Sequence, residues 1–430
     1  MVRLLALGLL GACDVSAVSI EVDGPVVVAR WNAAAVDSRV EVQGANGDVL
    51  TTAWQAPSDE GHEALLLGLY PGEAYSAAAA TRDGGRSVPS AFETSPLPGD
   101  FPTWSTEGTP GWDGFLVGSL LGDSSNVVVM DEHGQVLWFH EEVSDTRVIR
   151  ARPRVDGRGI WYAAFRDTDE TAAPELVSVS WQGDQLYREA IDNFTHDFVE
   201  QADGTLGLLL EDPRPVTGYE DDVRGNRVIQ FQPGESPDEV FSTWDIWVPD
   251  VDGQVHDGNT WTHGNALDWD EETRAYTIGF RGQDALVEVG ADSGEVRRQV
   301  GGPTSTYRFV SGAVESFDQH QFQWVDGGVL IFDNGVSETG SRAVEFALDD
   351  EAGTATERWS YQHDPVLWVY ALGDVDRADD GSTLVTFSTS GVIDDLSADG
   401  EPRWSLTTGL GTVLGYTTRV SSLPGVVLAP

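Results

Sequence analysis

Lysine is absent from these 430 residues. All 25 basic side chains are arginines, set against 71 acidic ones for a net charge of −46. A surface so acidic repels the phosphates of nucleic acid and of anionic lipid headgroups, which argues against a nucleic-acid partner and makes solvated surface the plain use of the charge. Cysteine is nearly absent too: Cys13 is the only one, so no intramolecular disulfide can form. Beyond the first dozen residues no apolar run approaches the ~20 residues that a helix needs to cross a bilayer. No segment of convincing length carries the 3.6-residue period of an amphipathic helix. Glycine, at 48 residues, and tryptophan, at 15, are abundant instead, and 40% of the chain is hydrophobic. Many glycines with many aromatics suit short strands, tight turns and a sizeable core.

The N-terminus joins a charged start, Met1-Val2-Arg3, to a short apolar run, Leu4 to Leu10, and then to Gly11-Ala12-Cys13. That order is an export signal, too short to span a bilayer. Leu10-Gly11-Ala12-Cys13 resembles a bacterial lipobox, so residues 1–13 read as a lipoprotein signal with Cys13 as the lipidated residue. The expectation is an exported protein, periplasmic or at the cell surface, held to the membrane by a lipid anchor.

Residues 17–95 read as a small β-sandwich. Val26 to Trp31 and Arg39 to Val42 are β-rich runs separated by turn residues. The stretch from Leu65 through Pro71-Gly72 to Tyr75 resembles the corner of fibronectin type III domains, where a tyrosine hydroxyl ties the turn to the backbone. Residues 96–112, rich in Pro, Gly, Ser and Thr, read as a linker.

From 113 to 430 a pattern repeats. Asp156-Gly157, Asp203-Gly204, Asp326-Gly327 and Asp380-Gly381 each precede a hydrophobic strand, and the pairing predicts type I′ hairpins. A second hairpin follows each, as at Glu132-His133-Gly134, Ser293-Gly294 and Asp399-Gly400. Two hairpins make one propeller blade. Six units are expected, over 113–145, 146–194, 195–250, 258–305, 315–362 and 368–408, with Val413 to Val420 as a strand able to close the ring. The fold class is all-β: a six-bladed β-propeller behind a small Ig- or fibronectin-like β-sandwich.

Histidine is scarce, at eight residues. His196, His263 and His320 stand at corresponding places, just before the first turn of successive units. In a propeller that place lies on the innermost strand, so three residues far apart in sequence converge near the axis. Arg281 follows one strand after His263, and Asn265 stands two residues after it. Imidazoles with a guanidinium fork suit an anion such as sulfate or phosphate. The alternatives for these histidines are buried structural roles or a metal site. His62, His133, His140, His256 and His363 read as surface or structural.

Taken together, these segments resemble the bacterial arylsulfate sulfotransferases. The resemblance is carried by Trp261-Thr262-His263-Gly264-Asn265, Gly279-Phe280-Arg281-Gly282-Gln283-Asp284, Gln319-His320 with Ile331-Phe332-Asp333-Asn334-Gly335, and His196-Asp197-Phe198. It implies nucleotide-independent transfer of a sulfuryl group from an aryl sulfate to a phenol through a sulfated histidine, with no cofactor and no metal. It makes His320 the nucleophile. Arg281, His263 and Asn265 hold the sulfuryl oxygens, His196 contacts sulfate or carries a proton, and Thr389 or Ser390 takes a hydroxyl position. The chain departs from the family in having no lysine, in placing Gly282 where a histidine often follows the arginine, and in lacking a disulfide. A non-catalytic, lipid-anchored propeller that binds ligands or partners at the cell surface is the second reading, and a metal-dependent hydrolase the third.

Overall fold

The computed structural model describes residues 15–423, apart from 46, 48, 123–124, 143–144, 167–171 and 311–317. Cys13 and the apolar run before it lie outside the described residues. Among the described residues the only helices are three-residue 3₁₀ turns, and none is long and apolar enough to cross a membrane. Two compact units are present: residues 15–101 with 135–139 and 422–423, and residues 102–134 with 140–421.

In the first unit, Ser19–Asp23, Val26–Ala33 and Ser58–Leu65 form a three-stranded sheet. Val49–Thr51, Ser38–Gly44, Ala74–Thr81 and Ser90–Glu93 form a four-stranded one. Alternate residues of both sheets, among them Val27, Ala29 and Trp31 from one and Val40, Val42, Ala77 and Ala79 from the other, share one core. The Trp31 indole inside it donates to Ser38 Oγ at 2.8 Å, which satisfies its polar edge. The corner tie expected of Tyr75 is made: its hydroxyl accepts the Tyr70 N–H at 2.9 Å, across the Pro71-Gly72 turn.

Strands between Trp104 and Val420 form six mainly antiparallel sheets, the six blades of a propeller. Blades two to four are plain four-stranded meanders: Thr146–Pro153 to Gln185–Ala190, Phe194–Glu200 to Asp238–Ser242, and Gly264–Asp270 to Val296–Gly301. The fifth starts at Phe322–Val325 and carries the short parallel strand Arg308–Phe309 on its outer edge. The ring closes through both chain ends. Val413–Leu414 and Thr418–Val420 pair with Phe115–Leu121 as the inner edge of the first blade. Trp104–Gly108 adds an outer strand to the sixth blade, against Pro402–Thr408.

That last strand corrects the linker expected over 96–112. Its signal was a single glycine: a Cβ on Gly108 would stand 2.0 Å from the Arg403 carbonyl oxygen, so only glycine allows this edge to pair. The hairpin turns differ too. Gly157, Gly204 and Gly381 have positive φ, but the aspartates before them do not. The turns are therefore not type I′. Each glycine N–H closes a four-residue turn, and each aspartate accepts the N–H two residues on, as Asp203 does from Thr205 at 2.9 Å.

Candidate active site

A ring of buried polar groups blocks the propeller axis. Arg150, on the inner strand of the second blade, donates from Nε and Nη2 to both carboxylate oxygens of Asp197 on the third, at 3.0 and 3.2 Å. Gln321 of the fifth blade and the Leu267 N–H of the fourth also reach Asp197, at 3.0 and 3.1 Å. Asp374 of the sixth blade takes Arg150 Nη1 at 3.5 Å, and the Tyr416 ring of the first lies 4.4 Å under the guanidinium. Burial pushes the Asp197 carboxyl up, but Arg150 and Arg152 outweigh it and hold the group below its ordinary value. Every blade contributes to this floor.

One residue before Asp197 and one before Gln321, His196 and His320 line a cavity of about 570 Å³. His263 and Arg281 of the fourth blade and Thr389 of the sixth line it as well. The His196 and His263 rings lie 5.2 Å apart. Local backbone geometry aims them: His196 and His263 have φ of +50° and +45°, a region rarely used by side-chain-bearing residues, and the strand registers break at both places. The His263 turn is held by Asn226, whose Oδ1 accepts the Gly264 N–H and the Thr262 hydroxyl, each at 2.7 Å. Arg281 is tied to it by its own N–H, which donates to the His263 carbonyl at 3.0 Å. Gly282 is required here, because a Cβ would stand 2.4 Å from the Trp261 carbonyl oxygen.

Burial is the main cause that lowers all three histidines, to about 4 for His196 and about 3 for His263 and His320. Arg281 and the neighbouring imidazoles add to it, while the Asn334 hydrogen bond opposes it at His320. The imidazoles are neutral at neutral pH, and the cavity's charge comes from its arginines. Arg281 Nη2 meets Asp318 at 3.3 Å, while its buried Nε has no hydrogen-bond partner among the described residues. The Thr389 hydroxyl is likewise buried without one. An arginine and a threonine on the wall of a cavity suit an anionic ligand. Leu121, Ile149, Phe165, Tyr370, Leu372 and Val413 give the rest of the wall an apolar face.

Sequence reasoning placed His196, His263, His320, Arg281 and Thr389 together, and the structure brings all five to one cavity. Asn265 is different. It is fully buried, does not line the cavity, and donates its amide to the Gln319 carbonyl at 2.7 Å. It braces the chain before His320. Ser390 does not line the cavity either. Arg147 and Thr195, both on its wall, went unnoticed in the sequence, as did the partner of His320: Asn334 Oδ1 lies 2.7 Å from His320 Nδ1. For Asn334 a signal existed, since an amide directly after the buried strand Gly328–Asp333 needs a partner. Among the other histidines, His62 stacks on Trp31 and His363 meets Asp394 at 2.7 Å, whereas His256 lines a neighbouring cleft that also touches His263 and Arg281. Among the described residues no group of three or more His, Cys, Asp or Glu is arranged to hold a metal ion.

Comparison with known proteins agrees with the sequence motifs. The profile of the family described as Arylsulfotransferase (ASST) matches residues 115–405. No curated protein matches the chain. Among solved structures it is similar to a Bacteroides caccae protein of unknown function, at 10% identity and TM-score 0.43, covering 71% of this chain and 98% of that one. A Staphylococcus aureus virginiamycin B lyase with quinupristin matches at 9% identity and TM-score 0.41, covering 74% of this chain and 100% of the other. These structural likenesses are too distant to bear on function.

Proposed function

Because this chain belongs to the arylsulfotransferase (ASST) family, we propose that it transfers a sulfuryl group from an aryl sulfate to a phenol, with His320 as the covalent carrier. The observation that carries this reading is the convergence of three neutral imidazoles, the Arg281 guanidinium and the Thr389 hydroxyl, from four blades, on a single cavity. In the first step an imidazole nitrogen of His320 attacks sulfur. The bond from sulfur to the aryl oxygen breaks, and that oxygen leaves with the electron pair. In the second step the acceptor's phenolic oxygen attacks the same sulfur, the nitrogen–sulfur bond breaks, and neutral His196 or His263 takes the phenolic proton. Arg281 and Thr389 donate to the sulfuryl oxygens as charge redistributes. The apolar wall, with Phe165 and Tyr370, suits the aromatic rings of donor and acceptor.

Export and a lipid anchor at Cys13, periplasmic or at the cell surface, are part of the proposal. They would meet aryl sulfates outside the cytoplasm.

The deciding experiment is release of 4-nitrophenol from 4-nitrophenyl sulfate, with and without phenol, in wild type and His320→Ala. The expected result is phenol-dependent release that falls on the order of 10³-fold or more in the variant while its fold is kept. No release from folded wild type across several donors and acceptors would instead favour the ligand-binding propeller.

A further inference from the structure

We infer that Asn334 is a positioning residue that holds His320 in the tautomer with its proton on Nδ1, which leaves the lone pair of Nε2 as the attacking electrons. The inference deepens the proposed reaction and rests on it only for its kinetic part.

The Asn334 amide is fully committed. The residue is 1% exposed. Its Nδ2 donates both hydrogens to backbone carbonyls, of Val369 and of Leu372, each at 2.8 Å. A flipped amide would set its oxygen against those two carbonyl oxygens, so the network decides which end is which. Oδ1 must therefore be the atom 2.7 Å from His320 Nδ1. An amide oxygen only accepts, so Nδ1 carries the proton. Besides Asn334, the groups acting on this ring are the Asp318 backbone carbonyl, which favours its protonated form, and Arg281, His263 and His196, with the Tyr416 ring centred 6.5 Å away. None of them is an anion. A neutral ring has one N–H, and with that on Nδ1 the lone pair lies on Nε2.

The same contact serves the next step. When Nε2 bonds to sulfur the ring becomes cationic and its Nδ1–H a stronger donor, already placed on Asn334 Oδ1. The Asn334 backbone is itself held, since its carbonyl accepts the Ser341 hydroxyl at 2.8 Å. Val369 and Leu372 belong to the segment that carries Tyr370 onto the cavity wall. One amide thus ties the wall to the ring.

The test combines NMR and kinetics on the intact protein. In histidine labelled with ¹⁵N, long-range ¹H–¹⁵N correlations report which ring nitrogen is protonated, and His320→Ala identifies the His320 signals. Wild type should show His320 protonated at Nδ1. Asn334→Ala should release it to a mixture of tautomers. Asn334→Asp, which keeps an acceptor but loses both amide donors, should retain the Nδ1–H form. In the burst of nitrophenol from 4-nitrophenyl sulfate, Asn334→Ala should slow the sulfuryl-transfer step on the order of 10²-fold or more with KM little changed. Asn334→Asp should keep most of that rate and move its acid limb to higher pH, a response that loss of packing alone would not give. A wild-type His320 protonated at Nε2, or an Asn334→Ala protein with unchanged tautomer, overturns the inference. If Asn334→Ala does not fold, the wild-type and Asn334→Asp spectra decide. Because the tautomer is read without substrate, an inactive wild type would defeat the proposed reaction and leave this result standing.

Discussion

His196 and Asp197 are neighbours in sequence and opposites in surroundings, as are His320 and Gln321. Asp197 and Gln321 lie in the axial floor, where Asp197 is met by Arg150, Gln321 and a backbone N–H. His196 and His320 line the cavity, where Arg281 Nε and the Thr389 hydroxyl have no partner among the described residues. Both regions are built from the same inner strands. The floor spends its polar groups on each other and gains a defined axis, whereas the cavity leaves donors unspent for a ligand and accepts left-handed backbone at two histidines to do so. Stability and function are thus separated by one step along a strand.

Substitutions should keep that separation. Asp197→Ala strands the buried Arg150 charge, and should cost about 3–5 kcal/mol of stability in urea denaturation. Any loss of activity should follow the loss of fold. Arg281→Ala should do the reverse. Sulfuryl transfer should fall about 10²–10³-fold in kcat with a small change in stability, as for a lost donor to a developing charge. A large stability loss there would erase the distinction between floor and cavity.

A milder probe is pH. The three cavity histidines are held below their ordinary value of 6.5, at about 4 for His196 and about 3 for the other two. Between about 3 and 6.5 the unfolded chain binds more protons at these sites than the folded one. Their contribution therefore makes stability rise with pH through that window and level off above it. Replacing His263 with Gln should flatten the slope, measured as the midpoint of urea unfolding against pH. The smallest effect is expected at Thr389. Since its hydroxyl has no partner among the described residues, Thr389→Val should change stability by less than about 1 kcal/mol and slow transfer about tenfold. A clear destabilisation would mean that this hydroxyl belongs to the fold.

Much of the site was legible in the sequence because the fold repeats. Equivalent positions on successive blades must converge on the axis, so recurrence alone brought His196, His263 and His320 together. Asn265 lies off the cavity wall, since spacing says which residues share a turn and not which way each side chain points. Its amide turns to the Gln319 carbonyl. The hairpins show the same limit. Asp-Gly announces a turn, but the local hydrogen bonds of Asp156, Asp203 and Asp380 choose its type.

The sequence by itself determined the strand content, the number of blades, the closing strand at 413–420 and the set of histidines, since all of these follow from periodicity and composition. Only the tertiary structure decided how those residues are used. It added Trp104–Gly108 to the sixth blade, joined six blades through the Arg150–Asp197 floor, and set Asn334 against His320. The physical reason is that a hydrogen bond between residues far apart in sequence leaves no periodic trace in the chain; it exists only where packed blades bring donor and acceptor within 3 Å.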